Sequence, residues 1–269
     1  MNRDDTGRLI SEKGITPRKN RGQNFLIDDR VAQRHIDYAC IEKGDRVLEV
    51  GPGLGILTKE LVKVSDDVIC IEIDPALADY VRNTFGDSVN LIEEDALKIE
   101  FPPFDRFVSN LPYSVSTPII FKLLNYNFKK AVVMVQKEFA DRMVADAGSP
   151  DYSRLTVNLF FRAECKILEN VPSSRFEPRP KVDSALVSIE PRPAPFDVID
   201  AKTFKRVVDV AFTHRRKKIG TSLRSAGMIE KDDPLPFRDE RIEHLVPSEI
   251  AEVADAVYTL KNTSTDINI

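Results

Sequence analysis

The sequence predicts an α/β protein: a mostly parallel, seven-stranded sheet covered by helices on both faces, followed by a small all-helical domain. Three observations carry this. Short, nearly all-apolar segments, beginning with Val47-Leu48-Glu49-Val50, alternate with stretches of helical spacing, as buried parallel strands do. The first of them runs into glycines at alternate positions, Gly51, Gly53 and Gly55, and then into periodic Ile56, Leu57, Leu61 and Val62. That order reads strand, tight turn, helix. Finally, Pro191, Pro193 and Pro195 break the alternation, and from Asp200 onward the spacing is helical throughout.

Taken in order, residues 1–16 are polar and aperiodic and are expected to form a flexible segment. Asp28 is placed to cap a helix whose apolar face is Val31, His35, Ile36 and Ala39. Strand and glycine turn follow at 46–55, with a helix to about residue 64. A second strand covers 68–74, and Pro75 opens the next helix, a position where its missing N–H costs nothing. Strands at 89–93 and 106–109 end in Glu94-Asp95-Ala96 and Asn110-Leu111-Pro112-Tyr113 respectively. Helical spacing at 118–124, a strand at 131–135 and a helix through Phe139 and Met143 complete this run.

After a loop at 147–153 a helix covers 154–163. The last two strands, 166–171 and 184–190, are joined by the proline-rich Phe176-Glu-Pro-Arg-Pro-Lys-Val182. Helices are expected at 201–213, 219–226 and 247–260, with a flexible tail at 261–269. The boundaries that follow are a sheet domain over 17–191 and a helical domain over 192–260.

Bulk properties exclude several classes. With 42% hydrophobic and 30% charged residues in 269, the chain reads as an ordinary water-soluble protein. No apolar run approaches the length that spans a bilayer, and no secretory signal is evident, so a cytoplasmic location is expected. The three cysteines, Cys40, Cys70 and Cys165, are scattered and read as small buried apolar residues. With the three histidines equally dispersed, no metal site is expected. The net charge of −4 argues against a nucleic-acid partner, but the cations are clustered: Arg18, Lys19 and Arg21, then His214-Arg215-Arg216-Lys217-Lys218. Each run alone is more often a solvated face than a binding patch.

The glycine turn by itself is shared with dinucleotide enzymes. Here Ile56 stands where a pyrophosphate-binding turn needs a third small residue, which favours a ligand without phosphates, S-adenosylmethionine foremost. Glu72 ends the second strand, where an acceptor-only carboxylate suits a ribose diol, or where it is merely a solvated strand end. Asp95 could accept from an adenine amine, or simply cap a helix.

Asn110-Leu-Pro-Tyr113 is the informative motif. The exocyclic amine of adenine is a poor nucleophile because its lone pair is delocalised into the ring. The Asn110 side-chain oxygen and the Leu111 carbonyl could accept its two hydrogens and localise that pair. Pro112 stiffens the loop, and Tyr113 offers a face on which an extruded base stacks. Phe176 could supply a second aromatic surface, although a rigid proline loop packing one Phe is the preferred reading of that segment alone. Gln23-Asn24-Phe25-Leu26 reads similarly as a capping turn with a core Phe.

Together these segments resemble one family. Gly22-Gln-Asn-Phe-Leu26, Glu49-Val-Gly-Pro-Gly-Leu-Gly55, Glu72-Ile-Asp74, Asn110-Leu-Pro-Tyr113 and Phe176-Glu-Pro-Arg-Pro-Lys-Val182 are similar, in this order, to the ribosomal RNA adenine dimethyltransferases, most closely their small-subunit (KsgA-type) branch. Gln136-Lys-Glu-Phe, Asp151-Tyr-Ser-Arg-Leu155 and Ala211-Phe-Thr-His-Arg-Arg-Lys-Lys218 add to the likeness, which spans residue 17 to about 258. The resemblance implies a Rossmann-like S-adenosylmethionine-dependent methyltransferase fold with a helical RNA-docking domain. It implies cofactor contacts from Gln23, Asn24, Leu26, Gly51, Gly53, Glu72, Ile73, Asp95, Ala96 and Asn110. It places Asn110, Leu111, Pro112, Tyr113 and Phe176 around the target adenine, and Arg18, Lys19, Arg21, Arg179, Lys181, Arg215, Arg216, Lys217 and Lys218 on RNA.

The activity implied is N6,N6-dimethylation of two adjacent adenosines near the 3′ end of small-subunit rRNA. The protein is expected to act as a monomer on a nearly assembled small ribosomal subunit. Two other readings stay open: a large-subunit adenine methyltransferase of the macrolide-resistance type, and a nucleic-acid-binding assembly or transcription factor on the same fold.

Overall fold

The computed structural model describes residues 23–266. The flexible segment expected at 1–16, the Arg18, Lys19 and Arg21 cluster, and the last three residues of the expected tail lie outside the described residues. Among the described residues no helix is long and apolar enough to cross a membrane.

The chain runs β1 (Phe25–Leu26), α1 (Asp29–Ala39), β2 (Val47–Val50), α2 (Thr58–Leu61), β3 (Val68–Glu72), α3 (Pro75–Phe85), β4 (Asn90–Glu93), β5 (Arg106–Asn110), α4 (Ser116–Leu123), β6 (Lys130–Gln136), α5 (Lys137–Met143), α6 (Arg154–Arg162), β7 (Ala163–Val171), β8 (Phe176–Glu177), β9 (Ser184–Pro191), α7 (Ala201–Thr213), α8 (Ile219–Ser225) and α9 (Pro247–Asp266). Seven strands form one sheet in the order β4-β3-β2-β5-β6-β9-β7. The pairs β2–β3, β2–β5, β3–β4 and β5–β6 are parallel, and β9 returns antiparallel to β6. From β2 the chain first builds outward through β3 and β4, then crosses back to start β5 on the other side. The gap above β2 and β5 is therefore the topological switch point, where ligands of such sheets bind.

Local chemistry sets the elements. Asp28 accepts from the Arg30 and Val31 N–H groups and starts α1. That helix buries Val31, Ala32, His35, Ile36 and Ala39 in one stripe, and the left-handed Cys40 (φ 50°) ends it. Asp74 likewise caps α3 by accepting from the Ala76 N–H at 3.1 Å, with Pro75 in the first turn. The sheet's covered faces join two apolar clusters: one around Ile36, Val47, Val68, Cys70, Val81 and Val108, and another around Leu26, Val31, Leu57, Met134, Phe176 and Leu186.

Several expectations are corrected. The helix after the glycine turn is only Thr58–Leu61, because the bonds beyond it tighten to the three-residue type, Lys63 N to Glu60 O and Val64 N to Leu61 O. Residues 25–26 are not merely a turn: they pair antiparallel with 176–177 as a separate two-stranded sheet. The last helix runs on to Asp266, where a tail from 261 is expected. Cys40 is exposed, and only Cys70 is fully buried.

Contacts divide the chain into two units, of which the first is 23–140 with 164–191 and the second 141–163 with 192–266. The sequence reading gives 141–163 to the sheet domain. These residues belong instead with the C-terminal helices because Tyr152 and Val157 are buried among Phe204, Val207, Val208, Leu223 and Val253. In the second unit Phe161, Phe196 and Phe204 form an aromatic cluster, with ring centroids 4.7–5.8 Å apart.

Candidate active site

At the carboxyl ends of β2, β3, β4 and β5 lies a cavity of about 360 Å³. Its floor is the glycine turn. Gly51 (φ +73°) and Gly53 (φ +57°) hold a conformation that L residues rarely adopt. A Cβ on Gly53 would come within 3.2 Å of the Phe25 ring, and one on Gly51 would meet Pro112 at 3.5 Å. Gly55 also has positive φ but serves packing, since a Cβ there would fall 2.5 Å from the Phe85 ring; it does not line the cavity.

Glu72 is no solvated strand end. It is 4% exposed, with Oε2 accepting from the Gly53 N–H at 3.3 Å and Oε1 from the Asp74 N–H at 2.9 Å. Burial raises its pKa, with the main-chain donors pulling the other way. Beneath it, Glu49 accepts from the Thr58 hydroxyl at 2.7 Å and is fully enclosed. Burial pushes Glu49 up to about 7. Sequence reasoning treats Glu49 only as part of the glycine motif.

Asp95 lines the cavity and caps a turn in place of a helix, its Oδ1 accepting from the Leu97 N–H at 2.9 Å. Around it, Ile73 and Leu97 are 45% and 38% exposed, large apolar side chains that leave one wall suited to a flat aromatic ligand. Lys122 on α4, absent from the sequence reading, holds this loop by donating to the Ala96 carbonyl at 2.9 Å and to the Ile99 carbonyl. Its ammonium sits 4.5 Å from the Phe101 ring centroid.

The opposite lining is the segment after β5. Asn110 donates its side-chain amide to the Asn24 main-chain oxygen at 3.4 Å, which leaves its side-chain oxygen available as an acceptor. The Leu111 N–H is tied to Met134 O at 3.1 Å, and Ser116 Oγ donates to Pro112 O at 3.2 Å. The Tyr113 hydroxyl lies 2.7 Å from Ser184 Oγ.

The structure therefore brings together Gln23, Asn24, Gly51, Gly53, Glu72, Ile73, Asp95, Ala96 and Asn110 through Tyr113 on one cavity. Two expected site residues are not brought there. Phe176 is fully buried in the apolar cluster with Val31, Met134 and Leu186 and presents no face to a base. Leu26 is in the same core, held by the pairing of β1 with β8. Phe25, Leu77, Val115 and Ile119 line the cavity without having been singled out as site residues, since an apolar residue carries no sequence signal that separates lining from core.

Comparison with known proteins agrees with this geometry. Residues 15–256 match the family model described as ribosomal RNA adenine dimethylase. The chain belongs to this family. It is a ribosomal RNA adenine dimethyltransferase that uses S-adenosylmethionine. The chain is 43% identical over 251 residues to a probable ribosomal RNA small subunit methyltransferase A of Methanosarcina acetivorans, covering 89% of this chain and 93% of that one. It is 38% identical to the like-named protein of Methanothermobacter thermautotrophicus, covering 97% and 98%. Among solved structures it is similar to a dimethyladenosine transferase from Plasmodium falciparum (29% identity, TM-score 0.76, covering 90% and 98%). It is also similar to the 23S rRNA methyltransferase ErmE (26% identity, TM-score 0.68, covering 87% and 100%).

The residues present fit the cofactor. Gly51 and Gly53, in the left-handed conformation, line the cavity with backbone free of side chains, Glu72 offers a buried acceptor for a diol, and the apolar wall beside Asp95 suits an adenine. Of the expected RNA contacts, Arg179 and Lys181 are exposed on the proline loop, with Arg179 Nε donating to Ser173 Oγ at 3.1 Å. In the second unit Arg215 is half-buried and committed to Glu243 (2.8 Å) and to the Pro150 carbonyl, so it is chiefly a structural cation. Arg216 and Lys217 are exposed, and Lys218 pairs with Asp239 at 2.8 Å.

Proposed function

We propose that the enzyme places two methyl groups on N6 of each of two adjacent adenosines near the 3′ end of small-subunit rRNA, within a nearly assembled subunit. The observation that carries this reading is the Asn110–Tyr113 segment, which ends β5 directly beside the cofactor cavity. The subunit assignment is supported by the names of the methanogen relatives, both small-subunit methyltransferases.

Bound in the cavity, S-adenosylmethionine supplies an electrophilic methyl group on a sulfonium. The chain's own part is positioning and electrostatics. Glu72 and Asp95 hold the donor's ribose and adenine. The Asn110 side-chain oxygen and the Leu111 carbonyl accept from the target amine and localise its lone pair toward the donor. Pro112 keeps the loop stiff, and Tyr113 supports the extruded base. No group in this arrangement is required to remove a proton before attack, and the proton that the methylated nitrogen then carries in excess passes to water. Arg216 and Lys217 in the second unit, with Arg179 and Lys181 in the first, contact the RNA backbone.

The test is a side-by-side assay with labelled cofactor, unmethylated small subunits and isolated large-subunit RNA. The reading expects dimethyladenosine in the small-subunit RNA only. Label confined to the large-subunit RNA would transfer the protein to the macrolide-resistance type.

A further inference from the structure

The Tyr113 ring is held at both ends. On its main-chain side the turn around it is closed at Pro112, whose carbonyl accepts from the Val115 N–H at 3.0 Å and from Ser116 Oγ at 3.2 Å. The Tyr113 hydroxyl meets Ser184 Oγ at 2.7 Å. Ser184 is 0% exposed and is the first residue of β9, in register with Gln136 of β6. A serine at that depth cannot exchange its partner for water, so losing the tyrosine hydroxyl leaves a buried polar atom unsatisfied. The loop that receives the base is thus moored to the antiparallel strand, two strands away from β5.

We propose that Ser184 is a positioning residue for methyl transfer: by fixing the Tyr113 hydroxyl it sets the plane of the ring against which the target adenine stacks. It touches neither cofactor nor base. This rests on the reading of Tyr113 as the base platform. With the ring pinned, the base arrives in one orientation, and the amine meets the Asn110 side-chain oxygen and the Leu111 carbonyl together. With the tether cut, the ring still stacks, but the amine is presented over a range of orientations.

The experiment compares Ser184→Ala, Tyr113→Phe, the double variant and Ser184→Thr on unmethylated small subunits. Each single change is expected to lower kcat about tenfold, the scale of small misplacements of a reacting group. KM for subunits and cofactor Kd should stay within about twofold, since neither ligand loses a contact. The double variant should be no slower than either single one, and Ser184→Thr, which keeps the hydroxyl, should recover most of the rate.

Wild-type kcat in both single variants, or losses that multiply in the double variant, would overturn the proposal. A second readout is independent of activity. The hydroxyl proton shared in the Tyr113–Ser184 bond should be protected from exchange in the NMR spectrum, and that protected signal should be lost in Ser184→Ala. Protection unaffected by Ser184→Ala would also overturn it. An inactive wild type in which the resonance responds as expected would count against the methylation reading and leave the tether standing.

Discussion

The main-chain N–H of Gly53 donates to Oε2 of Glu72 at 3.3 Å, joining the glycine turn to the carboxylate at the end of the neighbouring strand. One carboxylate thereby organises the turn and faces the cavity, where the proposed function puts the donor's ribose. Glu72→Ala should therefore raise the Kd of S-adenosylhomocysteine by at least about tenfold, the size expected for loss of charge-assisted hydrogen bonds. Calorimetric titration checks this. An unchanged Kd would return Glu72 to a purely structural part in holding the turn.

Gly55 is required for a different reason from its two neighbours. Gly55→Ala forces a side chain into the left-handed region and into the Phe85 ring, 2.5 Å away. Strain and overpacking together should cost about 2–4 kcal/mol of stability by urea titration. The folded fraction should bind cofactor normally, because Gly55 does not line the cavity.

Much of this site is legible in the sequence because its chemistry sits where strands end. Once 47–50, 68–72 and 106–110 are recognised as parallel strands, the rule of the carboxyl ends places Gly51, Glu72 and Asn110 together. The two misplacements have a common cause. Leu26 lies in a motif whose polar members Gln23 and Asn24 line the cavity, and Phe176 in a proline-rich one that does not reach it, but a two-stranded pairing too short to leave a periodicity turns both side chains into the core. The 141–163 excursion is hidden for another reason. A helix that follows a strand reads as cover for the sheet, and only the burial of Tyr152 and Val157 among distant helices reveals its true packing. Lys122 and Ser184 leave no trace at all, since a lysine on a helix and a serine at a strand start acquire meaning only from what they touch.

Two enclosed groups should give stability opposite pH slopes. His35 is fully buried with Nε2 on the Val132 carbonyl at 2.8 Å, and burial lowers its pKa from 6.5 to about 4. Its neutral form is favoured on folding, so the unfolded chain binds the extra proton and stability falls as pH drops from 6.5 to about 4. Glu49 is raised from 4.5 to about 7, so the folded chain binds the extra proton and stability falls as pH rises through that window. In the wild type the two slopes oppose each other between pH 4.5 and 6.5. Glu49→Gln should expose the histidine slope, up to about 1.4 kcal/mol per pH unit, and His35→Gln the reverse. Denaturation series at fixed pH values check the signs. Identical pH profiles in all three proteins would contradict both assignments.

The basic run at the end of α7 is best tested away from Arg215, whose loss would break the Glu243 ion pair within the second unit. Charge reversal at Arg216 and Lys217 together should weaken binding to small subunits and flatten its dependence on salt, roughly one unit of logarithmic slope per lost phosphate contact. Melting temperature should be unaffected. An unaltered salt slope would make these two residues an ordinary solvated face.

The central claim is that Asn110 aims an adenine amine of small-subunit rRNA at the donor. It is tested most directly by mapping dimethyladenosine in rRNA from cells lacking the protein, after restoring either the wild type or Asn110→Ala. Two adjacent adenosines near the 3′ end should lose their methyl groups, regain them with the wild type and stay bare with Asn110→Ala, although that variant still binds cofactor. Dimethylation that persists in the cells lacking the protein, or that returns with Asn110→Ala, would contradict it.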